Sequence, residues 1–194
     1  MRKTGPHPSA ANILALYEVT PAAWDKARGD RLALERGWIA RFLALVPRGG
    51  HVLNLGCGSG RPSAQHLLNK GHRVTGVDGA PSLISLCRRR FPSGQWVAAN
   101  MRTLSLGRAF EGVVAWHSLF HLPPDDQRAM FPIFAAHAGL GAPLLFTSGH
   151  EHGERLGEWQ GEPLYSASLA PDEYRRLLAD NGYDIVAHVA DDPD

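Results

Sequence analysis

The sequence predicts an α/β protein: a parallel β-sheet covered by helices on both faces. Two observations carry this. Apolar runs of strand length alternate with stretches of helical periodicity. The helical stretches are also punctuated: Pro62, Pro81, Pro124 and Pro171 each stand at a helix start, and Gly71 and Gly182 at helix ends. In open α/β sheets ligands bind beyond the carboxyl ends of the strands. The chemistry is therefore expected at residues 54–60, 78–80, 100–102, 116–121 and 147–152.

In chain order, residues 1–11 are polar with two prolines and read as a flexible tail. From residue 12 to 46 the pattern is helical in two or three pieces. Ile13, Leu14, Leu16 and Tyr17 mark one apolar face, and Trp38, Ile39, Phe42, Leu43 and Val46 another. Pro47-Arg48-Gly49-Gly50 breaks the chain. Strands follow at HVLNLG (51–56), RVTGVD (73–78), QWVAAN (95–100), EGVVAWH (111–117), PLLFTSG (143–149) and DIVAHVA (184–190). Between the fifth and sixth lies an expected loop rich in Gly, Glu and His. Residues 12–194 are expected to form one domain, with an α/β core at 51–190.

The bulk numbers exclude several classes. A chain of 194 residues with 44% hydrophobic and 20% charged content is an ordinary globular one. A net charge of +1 argues against nucleic acid held through its phosphates. No apolar run reaches the roughly 20 residues that span a bilayer, so no membrane partner is expected. The polar start predicts a cytoplasmic protein, with Cys57 and Cys87 as free thiols.

The stretch VLNLGCGSG (52–60) carries the clearest signal. Its glycines fall at 56, 58 and 60. A triphosphate loop would read GxxxxGK[ST], which is absent. A dinucleotide fingerprint GxGxxG fits only loosely. About 20 residues on, Asp78 ends the second strand, where a carboxylate can accept both ribose hydroxyls; an N-cap for the helix at Pro81 is the bland alternative.

Together, VLNLGCGSGRPSAQHLL, HRVTGVDGAPSLISLCRRRFP, WVAANMRTL and VVAWHSLFHLPPDDQ resemble the class I S-adenosylmethionine-dependent methyltransferases of small-molecule type, over most of residues 12–190. The resemblance implies a Rossmann-like doubly wound sheet, S-adenosylmethionine as cofactor with S-adenosylhomocysteine as product, and a methyl acceptor that is a small molecule or short peptide. Position by position it implies that Asn54, Gly56, Cys57, Gly58 and Gly60 form the methionine loop. Asp78 would bind the ribose beside Gly79 and Ala80, with Asn100 and Met101 flanking the adenine. Trp116 and His117 would lie near the sulfonium. Tyr17, Trp24 and Arg28 would belong to an N-terminal lid over residues 12–46.

The chain departs from this pattern in two ways. Asn54, Asn100 and His117 stand where the family commonly carries acids, and each lost charge-assisted hydrogen bond is worth about 1–3 kcal/mol. The family's seventh strand is missing, since the chain stops at Asp191-Asp192-Pro193-Asp194. This leaves an exposed sheet edge at which a homodimer could form. These departures support an alternative reading, a catalytically silent nucleoside-binding module.

Methyl transfer from a sulfonium needs orientation and exclusion of water, and a base only where the acceptor must lose a proton. His117 and His121 are the candidate bases; four apart, they would share a face if residues 118–122 were helical. For His121 a packed, bridging histidine is an equal alternative. His150-Glu151-His152 lacks further ligands, so no metal is expected. Arg88-Arg89-Arg90 reads as a solvated helix end rather than a phosphate site. Base-methylating signatures are absent: Leu122-Pro123-Pro124-Asp125 is not [DN]PP[FYW], and neither cysteine follows a proline.

Overall fold

A computed structural model describes residues 7–33 and 35–190. Five parallel strands form the main sheet: β1 (His51–Leu55), β2 (Arg73–Asp78), β3 (Gln95–Ala98), β4 (Gly112–Ala115) and β5 (Leu144–Phe146). Their order is β3-β2-β1-β4-β5, so the chain reverses direction across the sheet between β1 and β4. That reversal opens the crevice in which α/β sheets place their ligands. Asn54 sits at its floor, paired with Gly76 on one side and Val114 on the other.

Helices α3 (Arg36–Leu45), α4 (Ser63–Asn69) and α5 (Pro81–Arg90) contribute to one apolar cluster, in which Ile39, Phe42, Leu67 and Ile84 pack with Val52 and Val74. Helix α6 (Pro124–His137) and α7 (Pro171–Asp180) contribute to the other, where Phe131, Phe134 and Tyr174 pack with Leu53, Leu55 and Val113. Successive β1 residues thus feed opposite cores, as a strand buried on both faces must. Each fully buried Leu, Ile or Phe contributes roughly 1.5–3 kcal/mol. Gly76 lies under the Trp96 ring, and a Cβ there would also stand 2.9 Å from Cys57 Sγ.

Two further helices, α1 (Ser9–Val19) and α2 (Pro21–Arg28), precede the core. The expected tail is therefore shorter than 11 residues: helix begins at Ser9, while residues 1–6 lie outside the described residues. The expected glycine-rich loop is instead an antiparallel hairpin, β6 (Gly153–Trp159) and β7 (Glu162–Ser168). Gln160 and Gly161 turn it, with φ of 54° and 83°, the positive pair that a two-residue hairpin turn requires. Its apolar face is narrow, because Tyr165 and Ala167 meet Ile13 of α1 and little else. That is why the segment lacks a strand-like sequence pattern.

The strand expected at 184–190 does not form; those residues are irregular. Val186 is 80% exposed, with Ile185 and Val189 at 45% and 46%. β-propensity without a ladder partner does not make a strand. Among the described residues the main sheet ends at β5, so its open edge lies one strand earlier than expected. Residues 191–194 lie outside the described residues. No described helix is long and apolar enough to cross a membrane.

Candidate active site

The cleft over the carboxyl ends of β1, β2 and β4 is assembled from the loops that follow them. The first is the glycine loop. Gly56 and Cys57 donate their N–H groups to Val77 O at 2.8 and 3.1 Å, which folds the loop back onto β2. Gly56, Gly58 and Gly60 all have positive φ, at 66°, 56° and 82°. Their neighbours differ. A Cβ on Gly56 would collide with Ser118, and one on Gly60 with the Phe91 ring at 2.9 Å. Only Gly58 faces the lid, where a Cβ would stand 3.1 Å from Trp24 Nε1. Two of the three glycines thus serve internal packing, while the missing side chain of Gly58 leaves space beneath Trp24.

Asp78 organises the loop. Its Oδ2 accepts from Gly58 N at 2.8 Å, and its Oδ1 from Ala80 N at 2.9 Å. Burial pushes its carboxyl above the usual carboxylate range, against the pull of these backbone donors. Each oxygen keeps a lone pair for a further donor. Asp78 thus shapes the turn that leads into α5 but does not cap the helix, whose N-cap is Ala80 without a side-chain bond.

Asn54 is 2% exposed within β1. At such a position a neutral amide costs less to bury than a carboxylate would. Asn100 Oδ1 accepts from Arg102 N at 3.0 Å and from Arg102 Nε at 3.1 Å, so it caps a short 3₁₀ turn. Gly79, Asn100, Met101 and His121, four of the residues singled out from sequence, line one small cavity of about 40 Å³ with Leu14. Leu14 lies directly on Gly79. A nucleoside needs more room than this, and Leu14 is the side chain that fills the space over Gly79; the donor and acceptor set around it, Asp78 and Asn100, suits a nucleoside's hydroxyls and base.

Helices α1 and α2, the segment expected to act as a lid, are tied down by named bonds. Glu18 accepts from Ser82 N at 2.9 Å and from Ser82 Oγ at 2.7 Å, at the start of α5. Asp25 pairs with Arg90 through both guanidinium nitrogens, which holds its carboxyl below the usual range. Arg88 donates to Trp96 O at 2.9 Å. The expected solvated helix end is thus partly a structural clamp. Arg28 does not reach the cleft floor; it pairs with the nearly buried Glu35.

A belt of rings crosses the other side of the cleft. Tyr17 meets Trp24 at 5.0 Å between centroids and His121 at 5.5 Å. Trp24 meets Trp159 of the hairpin at 5.7 Å. Phe120 lies between His117 at 6.0 Å and His121 at 4.6 Å, and Trp116 abuts His117 at 5.4 Å. The two histidines do not share a helical face. His117 has φ 53°, and residues 119–121 form a 3₁₀ turn, so the i, i+4 relation expected of them is lost.

Their environments differ accordingly. His121 Nδ1 lies 2.8 Å from Tyr165 O, which can only accept, so Nδ1 carries the proton. Nε2 then accepts from the Tyr17 hydroxyl at 2.9 Å. Burial keeps His121 below its ordinary basicity. His117 makes no side-chain hydrogen bond among the described residues, while its backbone N–H donates to Thr147 Oγ1 at 2.8 Å. Its surroundings and the nearby Arg28 lower its basicity. Leu14, Glu18 and Trp159 also border the cleft or tie its cover down, and were not among the site residues expected from the sequence. Trp159 Nε1 donates to Thr20 Oγ1 at 3.0 Å and so joins hairpin to lid.

This geometry can be set beside known proteins. Residues 52–138 match the family model described as a methyltransferase domain. The fold is that of the class I methyltransferases. Trans-aconitate 2-methyltransferase of Escherichia coli (strain 55989 / EAEC) is 35% identical over 115 residues, covering 56% of this chain and 44% of the relative. The chain thus spans less than half the length of the curated relatives it matches. Among solved structures, 1,6-didemethyltoxoflavin-N1-methyltransferase of Burkholderia thailandensis, with its substrate and S-adenosylhomocysteine bound, aligns with a TM-score of 0.71 at 22% identity. That alignment covers 100% of this chain and 86% of the other. CalS10, an amino pentose methyltransferase from Micromonospora echinaspora with S-adenosylmethionine bound, aligns with a TM-score of 0.65 at 20% identity, covering 84% and 88%.

Proposed function

We propose that the protein is an S-adenosylmethionine-dependent methyltransferase acting on O or N of a small molecule or short peptide. One observation carries the reading: a half-buried Asp78 at the end of β2 is bonded to Gly58 N and Ala80 N and precedes Gly79, which lines one small cavity with Asn100 and Met101. The methyltransferase-domain match covers this region. When bound, the cofactor supplies a methyl group already activated on a sulfonium.

The chain's own residues do the rest. Asp78 accepts the ribose hydroxyls, Gly58, without a side chain, leaves room for the methionine end, and Met101 and Asn100 flank the base. Leu14, Tyr17 and Trp24 cover the cleft and exclude water. The ring belt from Trp116 to Trp159 forms the acceptor's wall. His117, neutral at pH 7 because its basicity is lowered, is our candidate to take a proton from the acceptor. His121 is assigned a positioning role instead, since both of its ring nitrogens are engaged. We place the protein in the cytoplasm on its two free thiols, and the β5 edge is where a second copy would pair.

The test is calorimetric titration with S-adenosylmethionine and S-adenosylhomocysteine, with NADH as control. Micromolar binding of the sulfur nucleosides, lost in Asp78→Ala, is the expected result. An absence of sulfur-nucleoside binding by the folded wild type would overturn it.

A further inference from the structure

A second concavity lies away from the ring belt, between α3 and α4, with a volume of about 790 Å³. Its floor is apolar, made by Leu32, Ala40, Leu43 and Pro62. Three cations stand on it: Arg31 before α3, Arg36 in its first turn and Lys70 at the end of α4. None of the three has an ion-pair partner among the described residues, whereas Arg28, Arg61, Arg90, Arg102 and Arg128 all do. One carboxylate, Asp30, shares the lining.

The wall holds two buried polar atoms without a hydrogen-bond partner, His72 Nδ1 and Gln65 Oε1. His72 is 9% exposed. Buried polar atoms are satisfied in the great majority of cases, so two in one wall call for a reason. His66, on the same wall, has its basicity lowered first by burial and then by Lys70 and Arg36.

We infer that this groove binds a small organic anion: a phosphate or carboxylate group carried on an apolar body. The guanidinium forks of Arg31 and Arg36 match the two oxygens of either group, Lys70 adds a point charge, and the apolar floor takes the body. With the ring proton on its unpartnered Nδ1, His72 would add one donor to the anion's oxygens; Gln65 Oε1 can only accept and takes no part in holding the anion. The groove shares no residue with the Asp78 cleft or the ring belt, so it stands or falls independently of the methyl-transfer reading.

The test is an amide chemical-shift titration of the ¹⁵N-labelled protein with phenyl phosphate, benzoate and benzyl alcohol at fixed ionic strength. Saturable shifts confined to residues 30–44 and 62–72, with phenyl phosphate, benzoate or both, are expected; which of the two acts tells phosphate from carboxylate. The Arg36→Gln/Lys70→Gln double variant should weaken this at least about tenfold, each lost ion-assisted bond counting for about that much. Its melting temperature should be unchanged, since both side chains are exposed and unpaired. Shifts that do not saturate, that persist in the double variant, or that benzyl alcohol reproduces would overturn the inference. So would the absence of shifts with both anions.

Discussion

On one side of the cleft, a carboxylate and two backbone N–H groups lock together within a stretch that runs from β1 to the start of α5. On the other, an aromatic belt is gathered from residues 17–24, 116–121 and 159, and these segments hold one another through ring contacts and two hydrogen bonds, Tyr17 to His121 and Trp159 to Thr20. The first side stands on the ends of a rigid parallel sheet. The second hangs on helices and a hairpin whose apolar clusters are small. Binding on the first side should therefore be all-or-none in its dependence on single residues, and on the second side graded.

The largest effect should come from the rigid side. Asp78→Asn keeps the shape and one acceptor oxygen but loses the charge that Gly58, Ala80 and a ribose would share. Bonds to charged groups are worth about 1.5–3 kcal/mol, so S-adenosylhomocysteine affinity should fall roughly one to two decades by calorimetry. An affinity within threefold of wild type would mean that the loop, not the carboxylate, holds the ligand. Lowering the pH should act in the same direction. Burial raises the Asp78 carboxyl above its usual range, so affinity should begin to fall at a higher pH than an exposed aspartate would give.

A smaller effect is expected from Tyr17→Phe. It removes the hydroxyl that donates to His121 Nε2 and leaves the ring in place. One neutral hydrogen bond is worth about 0.5–1.5 kcal/mol. Loss of lid closure should appear mainly as faster S-adenosylhomocysteine release, by about three- to tenfold in a stopped-flow displacement experiment. Unchanged release would detach the lid from the belt. Trp159→Phe tests the hairpin's end of the same connection. It keeps a ring against Trp24 and loses only the bond to Thr20 Oγ1, so release should quicken by about two- to fivefold, with faster amide exchange in α1.

The two sides were also unequally legible in the sequence. The glycine loop, Asp78 and the residues after β3 lie at fixed distances from strand ends, and periodicity finds strand ends. The positions of Asn54, Gly58, Asp78, Ala80, Asn100 and Met101 around one crevice follow from that. The hairpin was hidden because only Tyr165 and Ala167 on it are buried apolar residues, facing a helix about 150 positions away in the chain. The irregular 184–190 segment misled for the opposite reason: Ile185, Val186 and Val189 have strand propensity but no ladder to join. Leu14 could be read as apolar, but not as the side chain resting on Gly79. Pairings of this kind depend on how a lid docks, and no local pattern encodes that.

The smallest effect belongs to the far end of the sheet, where a buried polar chain has no part in the cleft. Arg108 donates to His51 Nδ1 at 2.9 Å, so His51 Nε2 carries its proton and donates to Thr75 Oγ1 at 2.8 Å. Thr75 in turn donates to Gln95 Oε1 at 3.0 Å. Burial, then Arg108 and Arg73, lower the basicity of His51. A histidine that resists protonation in the folded state stabilises the protein fully above its unfolded pKa of about 6.5. That contribution is lost as the pH falls below this value towards the lowered folded one. The melting temperature should therefore decline as the pH falls below about 6.5, and His51→Gln, which keeps a donor and an acceptor, should flatten this decline. Cofactor affinity at pH 7.5 should be the same in the two proteins, because the chain sits at the amino ends of β1 and β2. A loss of affinity in His51→Gln would mean that the two ends of the sheet are coupled, and that the rigidity on which the Asp78 side depends extends through the whole length of β1.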